Sequence, residues 1–484
     1  PLYTGGNDSP RPASQRAAAF ILTAAMLTTL AAPAFAKTWH IEDGDITVKA
    51  GDTKGTNKVS QGESTDVPDT DTVITNREKN ASSHTVTIET NDKNDKVEVT
   101  LKDVNIDTGS RNKAAVSVTG EGDTNIKLDG DNALKSDIYR SGIYGSGSGS
   151  LTISGGENDS LTAQGGSGAN GISSSGSLTI SGGTVTANGD DGGHGIYSRG
   201  GVTISGGSTV TANGESGTIS GGDGICSNGG VTISGGSTVT ANGGNGGSLV
   251  GGDGIRSGGG LTVSDGTVTA KGGNGDSKDG YGGDGIRSGG VVTISGNTVN
   301  AAGGYGGKVG GYGICSFDRV AISGGTVEAA GGNGSTGGGS GIYSSDIDLS
   351  GSLELTAKAG SPNGKALSQA GHELDLDAIK DKLDPGAKVT VTDADGNVIQ
   401  QVSIPRPVEP EKPVIPEESS SSSDGGSAAP SAPASSLPGL TVTDKSGAVI
   451  SYTSTQSGNT LTVCVGRLTA SLRASLSALR QLRA

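Results

Sequence analysis

The chain has 484 residues, a formal net charge of −15, 89 glycines and only 3% aromatic residues. So acidic a surface argues against nucleic-acid binding and against unaided capture of a polyanion. So few aromatics leave no material for a thick globular core, and three cysteines are too few for a disulfide scaffold.

Taken in chain order, Arg11 and Arg16 precede an apolar run from Ala17 to Leu30, and Ala34-Phe35-Ala36 is a small-x-small cleavage site. Residues 1–36 therefore read as a secretory signal, which places the mature chain, from Lys37, outside the cell or on its surface. The apolar run is too short to span a bilayer, and no later segment is apolar enough to do so. Residues 37–141 carry alternating strands at Val86-Thr87-Ile88-Glu89, Val97 to Leu101, Ala115 to Val118 and Asn125 to Leu128, and read as irregular first coils of a larger array.

From 142 to 360 the order becomes strict. A Gly-Ile dipeptide recurs eight times, its glycine at Gly142, Gly171, Gly195, Gly224, Gly254, Gly285, Gly313 and Gly341, at intervals of 24 to 31 residues. That is the period of a solenoid. Inside each repeat the apolar period is two: Leu178 and Ile180 alternate with Thr179 and Ser181, then Val185 and Ala187 flank Thr186. Three short strands per repeat, at Ile-x-Ser, Leu-Thr-Ile-Ser and Val-Thr-Ala, can hide their apolar faces only if successive coils pair in parallel about 4.8 Å apart. The expectation is an all-β chain, a parallel β-helix. Between the second and third strands the phrases Gly182-Gly183, Gly206-Gly207, Asp265-Gly266 and Gly296-Asn297 predict a left-handed corner, carried by Gly, Asp or Asn. The core from Gly-Ile to Ala is nearly constant, spanning 16 positions at Gly171 to Ala187 and 17 at Gly195 to Ala212, while the segment that follows varies from 7 to 14 residues. Variable length at one point predicts loops on one face, where function is expected.

Residues 361–404 read as the end or cap of the helix, and 405–438, rich in Pro, Glu and Ser, as a linker too polar to fold. A small α+β module follows at 439–484, with strands at Leu440 to Asp444, Val449 to Thr453 and Thr460 to Val465, and a helical stripe of Leu468, Leu472, Leu476, Leu479 and Leu482. Pro1 in place of Met, and a helix-like phrase running to Ala484, suggest a piece of a longer protein.

Two columns carry the candidate chemistry, one at the mouth of the variable loop and one that points outward by alternation. Asp223, Asp253 and Asp284 each precede a Gly-Ile, so stacking places three carboxylates about 5 Å apart, where like charges repel unless a cation lies between them. Calcium suits such a set, with loop oxygens from Asn245, Asn274, Asp276 and Asp279 as further ligands; the alternative is that Asp before Gly merely serves the turn. The second column follows each Gly-Ile: Tyr144, Ser173, Tyr197, Cys226, Arg256, Arg287, Cys315 and Tyr343. Tyrosine offers a flat face to a sugar ring and arginine a fork to a carboxylate, so Tyr144, Tyr197, Arg256, Arg287 and Tyr343 are candidates for an acidic-glycan groove. The threonines beside them, Thr152 to Thr293, suit strands whatever the ligand. Cys226 and Cys315 share a column three coils apart, about 14 Å, too far for a disulfide. The four histidines, His40, His84, His194 and His372, stand at no ligand spacing from a cysteine, which gives a zinc site little support.

The phrase Val99-Thr100-Leu101-Lys102-Asp103-Val104-Asn105-Ile106, with Ala114 to Val118, Ile126 to Gly130 and the Ser-Gly-Gly-Thr-Val-Thr-Ala repeats, resembles the secreted carbohydrate-binding-domain proteins of gut and cellulolytic Firmicutes over about residues 37–404. The resemblance implies a right-handed β-helix, calcium binding and adhesion to plant cell-wall polysaccharides, pectin included. A non-catalytic polysaccharide-binding protein is thus the leading expectation. A surface adhesin or structural stalk is the second. A pectate-lyase-like enzyme, suggested by Asp253 with Arg256 and Asp284 with Arg287, is the third; those pairs recur once per coil, whereas an active site needs one unique constellation.

Overall fold

The computed structural model describes residues 36–109, 111–406, 440–443, 452–457, 460–465 and 471–474. The signal segment and most of the linker lie outside these residues. The described chain is a parallel β-solenoid of about 11 turns, with 50% strand and 3% helix. Among the described residues no helix is long and apolar enough to cross a membrane.

A regular coil has the three strands that the alternation demands. In the coil beginning at Gly171 they are Ile172–Ser174, Leu178–Ser181 and Thr184–Asn188. Each pairs in parallel and in register with its counterpart one coil on: Ile172 with Ile196, Leu178 with Val202, Val185 with Val210. The first strands stack into one sheet, and the second and third strands of all coils form the other. Because side chains alternate along a strand, Ile, Leu, Val and Ala all face one interior, where Ile172, Leu178, Ile180, Val185 and Ala187 are fully buried, and the threonines between them stay half-buried. One thin core therefore runs the length of the solenoid. No coil could bury it alone, since every apolar face is covered by the coils on either side.

At the corner between the second and third strands, Gly182 and Gly183 have φ of 82° and 73°. Only part of the prediction holds. Where the phrase is Asp265-Gly266 or Gly296-Asn297, the left-handed residue is the glycine, with φ of 143° at Gly266 and 83° at Gly296, and Asp265 and Asn297 stay at negative φ. Asn297 acts instead through its side chain, whose Oδ1 accepts the Gly266 N–H at 2.6 Å. In later coils the two strands run on as one, as in Val292–Ala302 and Arg319–Ala330, with the register shifted at the glycine corner.

Both ends of the solenoid are closed. At the start, Asn57–Gln61 and Ser64–Asp69 add an antiparallel hairpin to the first-strand sheet, and the buried Trp39 donates its indole N–H to Asp69 Oδ2 at 2.7 Å. At the other end Lys388–Thr392 joins the sheet in parallel and Val398–Ser403 turns back on it, below a 3-10 turn at Leu376–Lys382. The chain beyond Glu409 forms a separate unit. In it Leu440–Thr443 pairs antiparallel with Ser471–Ala474, and Tyr452–Ser457 with Thr460–Val465. Leu472 thus sits on a strand, opposite Val442, where the leucine spacing predicts a helix; the other four leucines of that stripe lie outside the described residues. Partnering by Leu440–Thr443 overrides the local helical pattern.

Candidate functional site

The segments of variable length are more regular than their sequence suggests. Their bases pair in parallel, Gly217 with Gly246, Gly275, Gly306 and Gly334 in turn, and Val250 with Tyr281, Val309 and Gly337. Beside these ladders runs a thread of backbone hydrogen bonds that passes alternately within and between coils. Gly244 N donates to Gly222 O, Gly252 N to Gly244 O, Gly273 N to Gly252 O and Gly283 N to Gly273 O, each at 2.8 Å, and the pattern continues to Gly360. A Cβ on Gly252 would overlap the Gly222 carbonyl, and one on Gly283 the Gly252 carbonyl. The glycines before Asp253 and Asp284 are therefore spacers that let backbone touch backbone.

This packing drives the Asp column inward. Asp223, Asp253 and Asp284 are only 1%, 2% and 3% exposed. Each uses Oδ1 to accept the N–H of the next residue in the column: Asp253 N to Asp223, Asp284 N to Asp253 and Tyr312 N to Asp284, all at 2.7 Å. The column starts earlier than its aspartates. Asn170 Oδ1 accepts His194 N, and His194 Nδ1 accepts Asp223 N, both at 2.8 Å. Asn245 and Asn274 do the same for the loop ladder, accepting Asn274 N and Tyr305 N. A side chain that reaches one coil along and caps a backbone N–H is a general device of this solenoid.

The second carboxylate oxygens meet arginine. Arg256 Nε lies 2.9 Å from Asp253 Oδ2 and 3.3 Å from Asp223 Oδ2, and Arg287 Nη1 lies 3.1 Å from Asp284 Oδ2. Two guanidinium groups thus stand where the sequence pattern suggests an inorganic cation. Burial, with the neighbouring Asp253 charge, pushes the Asp284 carboxyl up to about 7. Asp223 and Asp253 are raised as well, by burial first.

The Tyr/Arg column does face outward, unevenly. Tyr144 and Arg256 are exposed and Tyr197, Arg287 and Tyr343 half-buried, whereas Ser173, Cys226 and Cys315 are buried. Short side chains at this position are overshadowed by long neighbours one coil away. Tyr343 stacks on Tyr312 at 4.9 Å between ring centroids, Tyr197 stacks on His194 at 5.7 Å, and Arg287 lies 5.1 Å from the Phe317 ring. Arg256 and Arg287 line a cleft of about 400 Å³ together with Val250, Asp253, Tyr281, Asp284, Val309 and Tyr312. Tyr281 and Tyr312, which that column omits, come from the loop ladder and from the Asp column. Tyr144 stands four coils before Arg256 and borders another cleft, with Arg140 and Asn112.

Both cysteines are free and buried. Burial, assisted by Asp223 and Asp284 respectively, pushes each thiol up to about 12. Cys226 is nonetheless not isolated, because stacking brings it to His194 and Asp223, with the three ligand atoms within 4.8 Å of one another. The absence of any His-Cys spacing along the chain is thus misleading. His194 stands one place before Gly195 as Asp223 stands before Gly224, and that shared offset is the signal that puts them in contact.

Comparison with known proteins finds no matching family model, no matching curated protein and no matching solved structure, so the function of this site has to be argued from its own geometry.

Proposed function

We propose that this is an exported, non-catalytic polysaccharide-binding solenoid, whose ligand is an acidic glycan lying across the Arg256/Arg287 cleft. The observation that carries this reading is convergence: two arginines, two tyrosines and two valines from three different ladders line one open cleft. Among the described residues Arg256 donates only through Nε and Arg287 only through Nη1, which leaves other guanidinium donors for a sugar carboxylate. Tyr281, 43% exposed, offers a ring face to the sugar. The signal-like segment before Lys37 supports export.

Calcium is left out of this reading. Each Oδ1 of the Asp column holds a backbone N–H, each Oδ2 faces an arginine, and Asn245 and Asn274 are committed to their own ladder. Such oxygens do not make the six or more that calcium takes. A lyase reading loses ground for the same reason, since Arg256 and Arg287 are tied to carboxylates and neither is a free base.

A glycan array probed with wild type, Tyr281→Ala and Arg256→Gln/Arg287→Gln, with and without EDTA, tests the proposal. Binding to uronate-containing glycans that survives EDTA, falls about tenfold in Tyr281→Ala and more in the arginine variant is expected. Binding to no glycan would overturn it in favour of an adhesin or structural stalk, and release of unsaturated oligosaccharides would do so in favour of a lyase.

A further inference from the structure

We infer that His194, Asp223 and Cys226 form a binding site for a divalent metal ion of borderline softness, of which zinc is the type. None of its three ligands is proposed to touch sugar, and Arg256 is the one residue that contacts both places.

Four observations carry it. First, an imidazole, a carboxylate and a thiol place their ligand atoms within 4.8 Å of one another. Nitrogen, oxygen and sulfur together are the donor set of zinc, and three protein ligands leave a fourth position open. Second, the spacing is right where it can be read. Bonds of about 2.0–2.3 Å in a tetrahedron put neighbouring ligand atoms roughly 3.3–3.6 Å apart, and His194 Nδ1 lies 3.5 Å from Asp223 Oδ2. Cys226 Sγ lies within 4.8 Å of both atoms.

Third, Asp223 Oδ2 is buried and accepts no hydrogen bond of ordinary geometry, in a residue only 1% exposed. The oxygen faces His194 Nδ1 at 3.5 Å and Arg256 Nε at 3.3 Å. A buried carboxylate oxygen with only long contacts is under-coordinated, and a metal ion would supply a closer partner. Fourth, the set is unique along the solenoid. The column before Gly-Ile reads Asn170, His194, Asp223, Asp253, Asp284 and Tyr312, and the column after it Ser173, Tyr197, Cys226, Arg256, Arg287 and Cys315. Among the described residues, His, Asp and Cys meet only between the coils of Gly195 and Gly224. Cys315, in the same column, has Asp284 and Arg287 as charged neighbours and no histidine.

The chemistry balances without a further reagent. The Cys226 thiol gives its proton to solvent, and thiolate and carboxylate together offset the two charges of the metal. His194 is already neutral, burial together with Arg256 holding it down to about 4. Its Nδ1 lone pair passes from the Asp223 N–H to the metal, so one neutral hydrogen bond is exchanged for a metal bond. Arg256 is the competitor for Asp223, and it keeps its shorter contact with Asp253 when the metal enters.

Titration of the reduced full-length chain with Co²⁺, then Zn²⁺, tests the site. One Co²⁺ per chain should bind with a thiolate-to-metal charge-transfer band, and Zn²⁺ should bleach it. The variants His194→Asn and Cys226→Ser use residue types already present in those columns, at Asn170 and Ser173, so the coil keeps its ladder. Each should weaken binding by about a hundredfold or more. Arg256→Gln should tighten it by about tenfold, since a competing cation is gone. The double variant Cys315→Ser/Cys464→Ser should behave as wild type. A chain that binds cobalt without the charge-transfer band, or a band that survives Cys226→Ser or His194→Asn, would overturn the assignment.

Discussion

The coils before Gly142 and those after it share one core and close their corners by different means. In the early coils side-chain ion pairs bridge the corners: Asp45 binds Arg111 and Lys113 from a later coil, Lys102 binds Asp129, and Lys135 binds Asp107. In the regular coils the corner is backbone on backbone, Gly252 against Gly222 and Gly283 against Gly252, with one buried side chain per coil capping the next N–H. Side chains that span a corner demand charge and length, and they tolerate irregular sequence. Backbone contact demands glycine and imposes a strict repeat. The glycine excess of the regular coils is thus a packing requirement.

That contrast can be broken most severely at Gly283. Alanine there places a methyl group on the Gly252 carbonyl, with no flexible side chain to give way. We expect a loss of about 3 kcal/mol or more in denaturant unfolding; a loss below about 1 kcal/mol would show that the thread is slack.

A second test uses pH, because the two regions should respond with opposite sign. Asp284 has its folded pKa raised, to about 7, above the ordinary unfolded value of 3.8. Its protonated form is favoured by the fold, so its contribution is fully present below the unfolded value and is lost as pH rises from about 4 to 7. Asp284→Asn keeps an oxygen for the Tyr312 N–H and should remove that loss, raising stability at pH 8 relative to wild type by on the order of 1–2 kcal/mol. Equal pH slopes in variant and wild type would refute the assignment.

The early coils give the smaller and opposite effect. Partial burial opposes the Asp45 charge, and hydrogen bonds from Arg111, Lys113 and the Thr85 N–H override it, holding its pKa well below the usual carboxylate range. A depressed pKa contributes stability above the unfolded value that is lost as pH falls through the acid range. Asp45→Asn should cost about 1 kcal/mol at pH 7, screened by salt, and progressively less as pH falls below the ordinary carboxylate range. A thermal-unfolding series across pH and ionic strength reads both numbers.

Much of this architecture is legible in the chain. Alternation at Leu178 to Ser181 gives the buried face, and the recurrence of Gly-Ile gives the stack, because a strand's side-chain period is two whatever surrounds it. The site was only half legible. Tyr/Arg recurrence exposed one outward column, but Tyr281 and Tyr312 reach the same cleft from segments whose varying length hides their register. The Asp column suggested calcium because arginines three residues on look independent in sequence. Folding turns Asp253 with Arg256 and Asp284 with Arg287 into ion pairs, since a coil returns the chain beside itself.

The repeat by itself determined that these residues form a β-solenoid with an Ile/Val/Leu interior, for the reason that short-range alternation and fixed spacing allow no other way to hide those faces. Only the tertiary structure decided what stands next to what at the corner. His194, Asp223 and Cys226 become neighbours across 29 and 3 residues because stacked coils convert an equal offset from Gly-Ile into direct contact. The packing of glycine backbone beside them then buries the Asp223 carboxylate.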